Sequence, residues 1–188
     1  MERWLASSLD QFRNYRQRKL LSVGTFLANR GLTANLLTGF SLLFGLLSVY
    51  FLFEQQVLFI LLALLHLAAD ALDGVIARAT KETSFGKYFD YGVDRLVTLL
   101  FLLKIGFFLQ DYYAYLIAGI FVVAQLIYIF SQFRAPIVFT RTVLLLILFF
   151  YSPVYALTAG LPIIAYLVTG AASLYSLARQ LQWFAARW

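Results

Sequence analysis

Residues 66–94 read HLAADALDGVIARATKETSFGKYFDYGVD and set four aspartates, Asp70, Asp73, Asp90 and Asp94, between runs otherwise fit to cross a bilayer. VLFILLALLHLAA (57–69) precedes the first pair, and RLVTLLFLLKIGFFL (95–109) follows the last. An Asp inside such a span costs about 2.5–3.5 kcal/mol on insertion scales, so it marks function by default. Asp70 and Asp73 are i and i+3, and Asp90 and Asp94 are i and i+4, so each pair shares a helix face. The connection 79–87 is short, which forces an antiparallel hairpin with both pairs near one end, at similar depth. Four carboxylates within ~5 Å would repel by around 3 kcal/mol per pair at an effective dielectric of about 20. Arg78 and Arg95 offset part of this. An all-oxygen donor set suits a hard divalent cation, so one or two ions of Mg²⁺, Mn²⁺ or Ca²⁺ are expected. The alternative, in which each Asp only pairs with an Arg to fix helix packing, leaves four Asp against two nearby Arg.

The rest of the chain agrees with a bilayer as solvent. Of 188 residues 62% are hydrophobic and only 13% charged, against roughly 45–50% and 25% in soluble proteins; mean hydropathy is +0.81. Absence of cysteine excludes disulfides and thiolate metal sites, and the single His66 excludes a multi-histidine zinc site. His66 reads as a hydrogen-bonded packing residue one turn before Asp70. Apolar runs at 33–53, 57–78, 88–109, 113–133, 139–157 and 161–181 predict six transmembrane helices. The fold class is thus an all-α integral membrane protein, with residues 1–30 as an amphipathic juxtamembrane helix and 31–188 as one six-helix catalytic domain.

Trp4, Leu5, Leu9, Phe12 and Tyr15 recur at helical spacing among Arg3, Arg13, Arg16, Arg18 and Lys19, the pattern of a basic helix lying on an anionic leaflet. The segment lacks the layout of a cleaved signal peptide and is expected to remain in the chain. With the N-terminus inside, every basic residue except Lys104 falls on the cytoplasmic side, while the outer loops hold Glu54 and Asp111. Both termini and the aspartates should therefore face the cytoplasm, with Trp183, Phe184 and Trp188 as interfacial anchors.

The motif Asp70-x2-Asp73-Gly74-x2-Ala77-Arg78, then Gly86-x3-Asp90-x3-Asp94, resembles the signature of the CDP-alcohol phosphotransferases, also called CDP-alcohol phosphatidyltransferases. All eight signature residue types stand in order; seven residues rather than the usual eight separate Arg78 from Gly86, a difference confined to the loop. The resemblance implies transfer of a phosphatidyl group from CDP-diacylglycerol, or another CDP-alcohol, to the hydroxyl of a small polar alcohol with release of CMP. It implies Mg²⁺ or Mn²⁺ on Asp70, Asp73, Asp90 and Asp94, and Asp94 as general base. It further implies donor binding by Asp73, Gly74, Ala77, Arg78 and Gly86, with Asn35 and Thr38 added from the first-helix pattern LTANLLT, where Ala34 replaces the family's usual Pro. A homodimer is implied too, for which Gly39, Gly45, Gly160 and Gly170 are candidate close contacts between copies or within one. Partners are then the two substrates and membrane lipids, and no nucleic acid.

Arg134, Arg141 and Arg179 fall at the cytoplasmic ends of the last three helices, on the side of the aspartates, and could clamp a phosphorylated acceptor. Arg141 and Arg179 resemble arginines of members that use inositol phosphate or glycerol phosphate; simple positive-inside anchoring is the competing reading. An intramembrane prenyltransferase would need more helices and two separated Asp-rich motifs. A cation transporter would need carboxylates near the midplane between repeats.

Overall fold

The computed structural model describes residues 21–80, 83–152, 154 and 158–186; most of the basic N-terminal helix expected over 1–30 lies outside them. Regular structure among the described residues is entirely helical: α1 (21–29), α2 (Ala34–Phe51), α3 (Gln56–Thr80), α4 (Ser84–Leu109), α5 (Tyr112–Phe130), α6 (Arg141–Phe149) and α7 (Leu161–Ala185).

Short polar residues set the boundaries. Thr33 Oγ1 accepts from the Leu36 N–H at 3.2 Å and starts α2, Thr83 Oγ1 accepts from Gly86 N–H at 3.0 Å and starts α4, and Asp111 Oδ1 accepts from Tyr113 N–H at 2.9 Å and starts α5. Each cap satisfies an amide that the first turn leaves without an intrahelical partner. The α1–α2 turn passes through Gly31 at φ +85°, where a side chain would be strained.

α2 packs chiefly on α3 and α4, α5 on α4 and α7, and α6 on α7. Phe59, Phe101, Phe121, Leu144, Leu145 and Leu148 form the solvent-free centre. Large apolar side chains such as Leu43, Leu64, Leu116 and Leu167 point outward, while Ser41, Ser48, His66, Thr98, Thr169 and Gln180 are buried. That inversion suits a lipid surround, because polar groups left in hydrocarbon without partners are costly. Gly45 and Gly170 are used inside the chain: a Cβ would stand 2.6 Å from Val97 Cγ2 at the first and 2.8 Å from Ile117 Cδ1 at the second. Gly39 and Gly160 have no atom that close to such a Cβ.

Among the described residues four helices, α2, α3, α5 and α7, are long and apolar enough to cross a membrane. α4 has 26 residues, about 39 Å of helix at ~1.5 Å per residue, but carries Lys87, Asp90, Asp94, Arg95 and Lys104. The span expected over 139–157 differs most. α6 has 9 residues, about 13 Å of helix. Its end tightens into Phe150 N–H→Ile147 O and Tyr151 N–H→Leu148 O bonds, ahead of Ser152-Pro153, where proline removes a donor and disfavours helix in the residue before it. The chain between α5 and α6 is likewise not helical. Gln132 and Phe133 take positive φ, and an irregular stretch follows to Thr140, tied by Val138 N–H to Ser176 Oγ at 3.0 Å.

At the end of the bundle away from the aspartates, Lys104 Nζ sits 3.6 Å from Glu54. The Tyr166 hydroxyl there donates to Asp111 Oδ2 at 2.5 Å.

Candidate active site

The hairpin of α3 and α4 brings Asp70, Asp90 and Asp94 together, with one carboxylate oxygen of each within 4.8 Å of the others. Asp73 turns elsewhere: it is 3% exposed, and its Oδ2 accepts from Thr38 Oγ1 on α2 at 2.8 Å. Helical residues advance by about 100° each, so i and i+3 diverge by ~60° and i and i+4 by ~40°. Asp90 and Asp94 therefore stay on one side of α4, while Asp70 and Asp73 face different neighbours.

Arg141, the first residue of α6, reaches into the cluster. Its Nη1 donates to Asp94 Oδ1 and its Nη2 to Asp70 Oδ2, so one guanidinium bridges carboxylates on two helices. Sequence reading assigned Arg141 only to an acceptor, because nothing local shows that α6 aims its N-terminus between α3 and α4. Arg95 lies against the same cluster, 4.0 Å from Asp94, with its guanidinium over the rings of Tyr91 and Phe139.

Two cavities flank the cluster. The first, about 380 Å³, is lined by Thr33, Asn35 and Thr38 of the α2 entry, Asp73, Gly74 and Ala77 of α3, and Gly86 and Asp90 of α4. A Cβ at Gly86 would lie 2.9 Å from Asn35 Oδ1, so glycine permits the close approach of α2 and α4 that forms this wall. Of the residues assigned to the donor, Asp73, Gly74, Ala77, Gly86, Asn35 and Thr38 all line it; Arg78 is exposed, with its guanidinium beside Gly74.

The second cavity, about 390 Å³, is lined by Lys87, Asp90, Tyr91, Asp94, Arg95, Tyr128, Phe133, Phe139, Arg141 and Thr142. Asp90 belongs to both. The positive-φ turn after α5 folds Phe133 onto this side, 4.6 Å from Lys87 Nζ and 5.2 Å from the Tyr91 ring. Arg95 Nε and Nη1 and Arg141 Nε are buried with no hydrogen-bond partner among the described residues. The sequence had offered no reason to select Lys87, Tyr128, Phe133 or Phe139. Arg134 and Arg179 line a third cavity with Pro136, Gln182 and Trp183, separate from Arg141.

The donor set fits a divalent metal. Three carboxylates converge from the two helices of one hairpin, all oxygen, and the structure already answers their charge with a cation, Arg141.

A family model described as CDP-alcohol phosphatidyltransferase matches residues 31–186. The chain belongs to the CDP-alcohol phosphatidyltransferase family. The match spans both helices of the aspartate hairpin and nearly all the lining of both cavities that flank it. Among curated relatives, an archaetidylinositol phosphate synthase of Pyrococcus horikoshii is 36% identical over 102 residues, which cover 52% of this chain and 54% of the relative. The chain thus spans about half the length of the curated relative it matches. No solved structure matches it.

Proposed function

We propose that this protein transfers the alcohol-phosphate group of a CDP-linked lipid, such as CDP-diacylglycerol, to a hydroxyl of a small phosphorylated alcohol, releasing CMP. Inositol phosphate is the acceptor favoured by the relative's name, with glycerol 3-phosphate next. The observation that carries the reading is the pair of cavities sharing Asp90, one walled by small residues and the other by Arg95 and Arg141, three of whose buried N–H nitrogens have no hydrogen-bond partner among the described residues.

The CDP-linked donor occupies the first cavity, where Gly74, Ala77 and Gly86 leave room for the nucleotide and Asn35, Thr38 and Asp73 supply polar contacts. Arg78 holds its phosphates from the rim. The acceptor phosphate enters the second cavity and takes the open N–H groups of Arg95 and Arg141, with Lys87 adding charge. The acceptor hydroxyl then lies at Asp94, which accepts its proton as the new oxygen–phosphorus bond forms. The diphosphate bridge breaks between its bridging oxygen and the lipid-side phosphorus, and CMP leaves with the bridging oxygen. Asp70, Asp90 and Asp94, with Asp73 from the donor side, are the residues to hold one or two Mg²⁺ or Mn²⁺ ions, whose chemistry is to neutralise charge on the diphosphate oxygens. Arg134 and Arg179 form an outer basic approach for the acceptor.

The topology proposed with it has six spans, α4 and the α6 segment completing the four clear ones, and both termini and the site on the cytoplasmic side. The charge distribution supports this, and the resemblance supports pairing of two copies.

The test is CMP release from CDP-diacylglycerol in mixed micelles with Mg²⁺ or Mn²⁺, across inositol 1-phosphate, glycerol 3-phosphate, inositol and serine. Release is expected only with a phosphorylated acceptor, and Asp94→Asn should lower kcat by about 10²–10⁴-fold. Equal rates with inositol and inositol 1-phosphate would refute the anion-binding role of the second cavity.

A further inference from the structure

His66 is the chain's single histidine and is fully buried on α3. Its Nδ1 lies 2.9 Å from the Ser41 carbonyl oxygen and 2.8 Å from Ser41 Oγ, and that Oγ is 3.3 Å from the carbonyl oxygen of His66 itself. A carbonyl oxygen can only accept, so the hydrogen of a neutral ring sits on Nδ1. The Ser41 hydroxyl donates its own hydrogen to the His66 carbonyl and can accept from Nδ1, so the three contacts are mutually consistent. Nε2 is then left with a lone pair, and it faces Arg141 Nη1 at 3.4 Å.

Arg141 Nη1 carries two hydrogens. One serves Asp94 Oδ1, the second is available to His66 Nε2, and Nη2 serves Asp70 Oδ2. Three groups therefore fix the plane of one guanidinium, and the only uncharged one among them is held in turn by α2. Removing the imidazole would leave the fork tied to two carboxylates alone, free to pivot about its stem.

We propose that His66 is a positioning residue: locked by Ser41 as the Nδ1–H tautomer, it accepts from Arg141 and sets the guanidinium so that it spans Asp94 and Asp70. Its consequence for turnover rests on the phosphotransfer reading above; the geometry itself does not. The tie joins α2, α3 and α6 beside the carboxylate cluster, so the arginine that closes the cluster is aligned by the helix whose first turn walls the donor cavity.

One histidine per chain makes this directly readable, because ¹⁵N-histidine labelling gives a single imidazole. Near neutral pH in detergent, the wild-type protein should show a protonated Nδ1 and an unprotonated, hydrogen-bonded Nε2. In Arg141→Met the Nε2 resonance should move to the position of a free unprotonated nitrogen while Nδ1 stays. A proton on Nε2, on both nitrogens, or an Nε2 resonance indifferent to Arg141→Met would overturn the assignment. None of these readings needs turnover, so a failed activity assay does not decide it.

The catalytic consequence is tested by His66→Phe, which keeps ring volume without an acceptor, against His66→Gln, which keeps an acceptor. For folded variants, kcat should fall about 10–100-fold in the Phe variant with donor KM little changed, and the Gln variant should recover most of it. Wild-type kcat in His66→Phe, or equal losses in both variants, would reduce His66 to packing.

Discussion

Replacing Arg141 by Met removes the guanidinium between Asp70 and Asp94 while keeping an apolar stem of similar length. The side chains involved are 10%, 20% and 15% exposed for Arg141, Asp70 and Asp94, so they count as a largely buried group. Removing one partner of such a group costs about 3–5 kcal/mol, because the remaining charge stays desolvated. A second route gives the same size: two carboxylate oxygens at the 4.8 Å limit of the cluster repel by about 3.5 kcal/mol at an effective dielectric of ~20. For a chain of this length roughly 2–4 °C of Tm accompanies each kcal/mol, so the variant in detergent and chelator should melt about 6–20 °C below wild type. Mg²⁺ or Mn²⁺ at about 100 times its Kd should return ~2.7 kcal/mol, and the rise should be larger in the variant, where no guanidinium competes for the same oxygens. Thermal unfolding followed by tryptophan fluorescence, with chelator and with a metal titration, measures both quantities. A Tm drop under about 2 °C in chelator, or the same metal-induced rise in both proteins, would refute the bridging role and the metal reading together.

Gly86→Ala gains up to about 1 kcal/mol of helix propensity, but its Cβ would meet Thr83 Oγ1 at 3.0 Å and disturb a cap worth ~1 kcal/mol. Its Tm should stay within a few degrees of wild type. Because the same methyl enters the first cavity beside Asn35, KM for the CDP-linked donor should rise about tenfold, equivalent to ~1.4 kcal/mol; steady-state kinetics with unchanged acceptor KM would agree, and unchanged donor KM would not. Asp111→Ala removes the α5 cap and the Tyr166 hydrogen bond, about 1–3 kcal/mol. It should lower Tm while leaving kcat at the wild-type value, since it lies at the opposite end of the bundle.

The family was readable early because the motif is local. Asp70 to Asp94 lie on two consecutive helices joined by a short loop, and a hairpin of that kind has essentially one way to fold. The small residues Gly74, Ala77 and Gly86 were legible for the same reason, and they do line a cavity with Asn35 and Thr38. The α6 segment was not legible: its apolar run 139–151 looks like any other span, and only the tight turn ahead of Ser152-Pro153 stops the helix at Phe149. The buried side of the bundle was obscured by composition. Where lipid takes the place of water, both faces of a helix are apolar, so hydropathy cannot say which face holds Ser41, His66 or Gln180.

The sequence by itself determined a helical membrane protein with a carboxylate hairpin, since hydropathy, helical period and the motif's spacing are properties of neighbouring residues. The tertiary structure alone decided that Asp73 leaves the cluster for Thr38, that Arg141 enters it across sequence separations of 47 and 71 residues, and that Arg134 and Arg179 line another cavity. Those outcomes depend on which way each helix is rotated and where a distant helix begins. An i to i+3 step already turns a side chain by about 60°, enough to send two aspartates of one motif to different partners.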